Sequence, residues 1–252
     1  MNTTAAIPTD YAPAANLLAD RVILVTGAGQ GLGRAVAIAC AAHGATVALL
    51  GRKQDKLEAT YDAITDAGHA EPALVPLDLA AAGEAEFDGL ANLVKRDLKG
   101  LAGIAHCASH FVPLRPMADH TWEQWNALLR VNLTAPFALT RACLPLLAKK
   151  PGASVVFTGE THGVKPAAFW GGFAVAKAGL SALATIWADE LEGPGKPRFN
   201  VLVPGPINSP QRAQSHPGED RTRLPSVERA ARGYLWLLGA DSLSTSGQTL
   251  AL

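Results

Sequence analysis

Neither charge sign is in excess in this 252-residue chain, where 22 basic residues balance 22 acidic ones. Gripping nucleic acid or an anionic bilayer through charge takes a basic surplus, so neither is an expected partner. Cysteine is scarce. Cys40, Cys107 and Cys143 lie apart among apolar residues, without the paired spacing of a metal site. They read as buried thiols of a reducing, cytoplasmic compartment, with no metal expected. No apolar run approaches the ~20 residues of a membrane span. The first residues carry no basic start followed by an apolar block, so 1–19 read as a loose N-terminal extension rather than a signal peptide. Repeats and domain linkers are also missing, and residues 20–252 are expected to form one domain. Tyrosine occurs only at positions 11, 61 and 234.

What is present is a regular alternation. Hydrophobic residues make up 48% of the chain, ample for a large core. Short runs without polar alternation, such as Arg21–Thr26, Ala45–Leu50, Ser154–Thr158 and Asn200–Val203, alternate with longer stretches of helical spacing. One of these stretches predicts a long helix from about Thr121 to Lys149. Strands buried on both faces and separated by helices predict an α/β fold: three layers, doubly wound in the Rossmann manner, around a mostly parallel sheet.

The first strand runs into Thr26-Gly27-Ala28-Gly29-Gln30-Gly31-Leu32-Gly33. A glycine-rich turn between a buried strand and a helix lets the backbone approach a pyrophosphate, which then sits on the positive helix end. The second strand ends in Leu50-Gly51-Arg52-Lys53. An acidic residue there would accept from a ribose 2′-hydroxyl; Arg52 forks instead onto a 2′-phosphate. NADP(H) is therefore the expected cofactor, with NAD(H) as the alternative.

On these residues the chain resembles the short-chain dehydrogenase/reductase family from Arg21 to Leu250. The T-G-x-x-x-G-x-G run supplies Thr26, Gly27, Gly31 and Gly33. Asp78-Leu79 stands where the family contacts adenine, and Asn132 matches its helix asparagine. Pro204-Gly205-Pro206-Ile207 resembles the loop beside the nicotinamide, and His106-Cys107-Ala108-Ser109 takes the place of its N-N-A-G run. The resemblance implies hydride transfer on a small carbonyl or alcohol, with Lys177 on the nicotinamide ribose, in a homodimer or homotetramer paired through the helices around Trp122, Trp125 and Asn132.

The departures from the family pattern gather at the chemistry. Its catalytic tyrosine is Phe173 here, and its serine, thirteen residues earlier, is Glu160. A positioned general acid contributes roughly 10²–10⁴ in rate, so ordinary ketone reduction is disfavoured. Glu160 or His162 is a candidate replacement acid if Phe169, Trp170 and Phe173 supply an apolar pocket. Two further readings follow: a catalytically silent cofactor-binding subunit, or non-redox acid/base chemistry by Glu160. The polar stretch 209–225 matches the family's substrate lid, and its Arg212, Arg221 and Arg223 suggest an anionic substrate.

Overall fold

The computed structural model describes residues 7–252. Seven strands form one sheet in the order β3-β2-β1-β4-β5-β6-β7. They are β1 (Val22–Thr26), β2 (Thr46–Gly51), β3 (Ala73–Pro76), β4 (Gly103–His106), β5 (Ser154–Thr158), β6 (Arg198–Val203) and β7 (Thr249–Ala251). Every pairing is parallel. β1 to β6 follow the doubly wound order, which reverses at β1/β4 and opens a crevice at the strands' carboxyl ends. Two apolar clusters fill the layers, one on each sheet face: Leu24, Ile104, Val155 and Phe199 point to one side, and Ile23, Val25, Val47 and Leu202 to the other. That is why the strands lack polar alternation.

The helices are α1 (Gly31–Ala42), α2 (Gln54–Thr65), α3 (Glu84–Asp97), α4 (Trp122–Leu129), α5 (Ala135–Leu147), α6 (Thr161–Val164), α7 (Gly171–Glu190), α8 (Pro210–Ser215) and α9 (Val227–Leu238). The single helix expected over 121–149 is interrupted by a π-turn at Arg130–Thr134. Asn132 causes it. Its Nδ2 donates to the Leu128 carbonyl at 2.9 Å, the acceptor that its own backbone N–H would use in a regular α-helix. Pro136, four residues on, has no N–H to return to the Asn132 carbonyl.

Three other expectations change. The segment before β1 is packed rather than loose. Leu18 is fully buried, its N–H donates to the His43 carbonyl at 2.9 Å, and Tyr11 donates to Asp241 at 2.6 Å. The part of that extension covering 1–6 lies outside the described residues. Contrary to the expectation of no such run, α7 is long and apolar enough to cross a membrane by length and composition. In this fold it packs against β5 and β6, with half of its most apolar stretch buried. The stretch 209–225, expected as a lid, is also more ordered than a loop: it contains α8 and a short 3-10 turn at Arg221–Arg223, capped by Ser209 and Asp220 respectively.

Candidate active site

The crevice is a cavity of about 640 Å³ running from the glycine turn, along the carboxyl ends of the strands, to the lid. At one end the backbone sets its shape. Gly33 is a requirement of contact, because a Cβ there would lie 2.3 Å from the Gly27 carbonyl oxygen. Gly27 adopts φ +69, and a Cβ on it would strike the Ala108 backbone at 2.9 Å. Two threonines brace the turn. Thr26 Oγ1 accepts from the Ala108 N–H at 3.0 Å, and Thr60 on α2 donates to the Ala28 carbonyl at 3.0 Å. Gly33→Ala is therefore expected to cost about 3 kcal/mol as the turn is forced open. A drop in denaturant midpoint together with loss of dinucleotide binding would show it.

Every cofactor residue expected from the sequence lines this cavity except Pro204, which precedes the lining residues Gly205 and Ile207. Gln30, Leu32, Arg52, Asp78, Leu79 and Ala108 take their places along the wall. The sequence reading missed Lys53 and Lys56, which join Arg52 there. Lys56 Nζ donates to Gln30 Oε1, tying α2 to the glycine turn. The signal was present as three cations within five residues, at the start of a helix that follows a strand end. His216 and Pro210 also line the cavity, from the lid. Pro210 Cδ sits 2.9 Å from where a Gly31 Cβ would be, so the lid helix rests on the glycine turn. No local pattern announces that contact.

At the other end the expected catalytic residues separate. Lys177 lines the cavity, is 4% exposed, and donates to the Thr158 carbonyl at 2.8 Å. Burial lowers its pKa to about 8, opposed by the nearby Glu160 and Cys107. Glu160 and His162 also line the cavity, with His162 Nδ1 3.4 Å from Glu160 Oε1. The His162 ring stacks on Trp170 at 3.9 Å between centroids.

Phe173 does not reach the cavity wall. It is 1% exposed and locked edge-on against Phe111 at 5.2 Å, with Trp170 at 6.1 Å. Phe169, expected to help line an apolar pocket, is 56% exposed and lies outside the wall. Asn132 is buried with its amide fully used: Oδ1 accepts from Ser109 Oγ and the His110 N–H, while Nδ2 donates to the His110 and Leu128 carbonyls. That leaves no capacity for a substrate, and it pins the loop after β4.

The lid arginines also depart from expectation. Arg212 lines the cavity, but its guanidinium forks onto Glu219 at 2.5 and 2.6 Å. Arg221 and Arg223 are exposed and off the wall. No group of three or more His, Cys, Asp or Glu among the described residues is arranged to hold a metal.

The sequence profile of the family described as short chain dehydrogenase matches residues 21–220. The chain belongs to the short-chain dehydrogenases. It is 36% identical over 239 residues to the oxidoreductase YciK of Escherichia coli K12, covering 95% of this chain and 94% of that protein. Among solved short-chain dehydrogenases, one from Pseudomonas syringae superposes with a TM-score of 0.93 at 40% identity, covering 96% of this chain and 98% of that one. Another, from Escherichia coli CFT073 and complexed with NADPH, gives 0.91 at 35% identity, covering 95% and 99%. The chain is thus a nicotinamide-dependent oxidoreductase by family.

Proposed function

We propose that the protein is an NADP(H)-dependent oxidoreductase that reduces or oxidises a small molecule held between β5, α7 and the lid. The continuous cavity supports this reading above all, since it joins a glycine turn that admits no Cβ to a cationic corner at Arg52, Lys53 and Lys56. The glycine turn and the start of α1 take the pyrophosphate, Arg52 and its two lysines take the 2′-phosphate, and Leu79 with Asp78 flank the adenine. Lys177 would hold the nicotinamide ribose, and Gly205 and Ile207, on the same cavity wall, would contact the nicotinamide. The coenzyme supplies or accepts a hydride when bound.

Asn132 acts as a positioning residue in this scheme, because three of its four hydrogen bonds hold the Ser109–His110 loop against the cavity. The solved relative with NADPH is consistent with the choice of phosphorylated cofactor. The outer faces of α4, α5 and α7 expose Trp122, Phe137, Val175 and Ile186, an apolar surface suited to a second copy of the chain.

Tryptophan fluorescence tests the cofactor assignment. NADPH is expected to bind more tightly than NADH. Arg52→Asp should weaken NADPH at least about tenfold and leave NADH unchanged or improved, as expected for removing a charge-assisted fork. Equal affinities in the parent protein, unmoved by the substitution, would remove it.

A further inference from the structure

The reactive end of the cavity carries the wrong charge for a ketone. Hydride addition to C=O builds negative charge on oxygen, which must be met by donors and finally by a proton. By the family resemblance, the position facing that oxygen is held here by a carboxylate, Glu160, which lines the cavity, and the proton-donating position by Phe173, sealed in an aromatic cluster. Two cations, Lys177 and Arg212, lie within Coulombic range of Glu160, but neither donates a hydrogen bond to it. Arg212 is forked onto Glu219, and Lys177 donates to the Thr158 carbonyl. Thr161 keeps a hydroxyl on the wall, but on the residue next to Glu160, whose charge opposes any oxyanion held there.

Glu160 itself accepts no hydrogen bond among the described residues, its charge being met only at longer range by Lys177 and Arg212. No described group donates a hydrogen bond to either carboxylate oxygen. His162 Nδ1 lies 3.4 Å from Glu160 Oε1 and is itself buried without a hydrogen-bond partner. The glutamate side chain is 20% exposed, and that exposure opens into the cavity. Beside it stands the stacked pair of His162 and Trp170, with Phe111 and Phe173 behind. A carboxylate that accepts no hydrogen bond, next to an aromatic wall, is a receptor for an organic cation, through ion pairing and attraction to the ring quadrupole.

Among groups that hydride reduces, the cationic one is the iminium ion. We infer that the substrate is an iminium, a C=N⁺ rather than a C=O, with its charge held by Glu160. This rests on the nicotinamide reading above. The step balances without a proton donor: a hydride from the reduced nicotinamide forms the new C–H bond, and the C=N π pair becomes the nitrogen lone pair. The carbon is reduced and the nicotinamide oxidised. No oxyanion forms and no proton enters at the reacting atoms. The loss of the tyrosine hydroxyl and the exchange of serine for glutamate then become two parts of one change. In the reverse direction the same site takes a cyclic or secondary amine to its iminium.

The test uses the full chain and measures NADPH binding first. Turnover is then followed with N-methyl-3,4-dihydroisoquinolinium, a permanent cation, and with 1-tetralone, a neutral ketone of similar shape, each corrected for reaction in solution. The iminium is expected to be reduced with kcat/KM at least about 100-fold above the ketone. A second readout needs no cofactor: calorimetry with the product amine, N-methyl-1,2,3,4-tetrahydroisoquinoline, as its ammonium ion. Glu160→Gln should weaken that binding at least about tenfold while leaving the NADPH constant within about twofold. Ketone turnover equal to that of the iminium, or amine binding indifferent to Glu160→Gln, overturns the inference. Firm NADPH binding without iminium reduction defeats this inference alone, whereas failure to bind NADPH defeats the oxidoreductase reading beneath it.

Discussion

Lys177→Met is expected to make the fold more stable while weakening its hold on NADPH. The ammonium is 4% exposed, and burial brings its pKa from 10.5 to about 8. The unfolded chain therefore binds a proton that the folded chain resists between pH 8 and 10.5. Stability rises with pH across that window, and the full penalty of the buried charge is felt below pH 8. Methionine fills the same volume without charge, so the gain below pH 8 reaches up to about 3 kcal/mol, less what the unpaired Thr158 carbonyl then costs. Above pH 10.5 the advantage disappears.

Chemical denaturation of both proteins at a series of pH values measures the effect. Cys40, Cys107 and Cys143 have thiols pushed up by burial and lower stability as pH climbs past their ordinary range, so the difference between the two proteins is the relevant quantity. A substitution that destabilises equally at every pH would show that the lysine supports the fold. The expected opposition between stability and binding marks a side chain kept for its ligand.

The second large effect lies on the acid side, at His106. It is 4% exposed, stacks on Phe157 at 5.0 Å, and exchanges a hydrogen bond with Thr140 at 2.8 Å. Burial, with Lys177 as a lesser cause, lowers its pKa from 6.5 to about 3. The folded state keeps the imidazole neutral while the unfolded chain protonates it below pH 6.5. Stability is thus intact above pH 6.5 and lost as pH falls toward 3, by up to about 5 kcal/mol at the acid limit. His106→Asn removes that titration. It is expected to be less stable near neutrality, having lost the ring stack, and to lose less on acidification. Parallel acid limbs in the two proteins would move the cause to the carboxylates.

The strands were legible because burial on both faces leaves no polar alternation, and the glycine turn because only one backbone shape joins a strand to a helix at Gly27 to Gly33. Arg52 could be read for the same reason, since its place at a strand end decides what it faces. The harder residues depended on partners remote in the chain. Arg212 looks like an anion receptor until Glu219 folds back onto it. Asn132 has the look of a reacting amide until four hydrogen bonds are counted around it. The enclosure of Phe173 by Phe111 and Trp170 was not legible in the sequence.

Composition and local pattern, taken alone, determined the layered α/β architecture and the glycine-rich turn after β1. These rest on periodicity and on steric rules that act within a few residues. Only the tertiary structure decided which charges are still free at the reactive end. Whether Glu160, Lys177 or Arg212 has a partner depends on β5, α7 and the lid meeting in space, and the free energy of a buried charge is set by that meeting rather than by its neighbours in the chain.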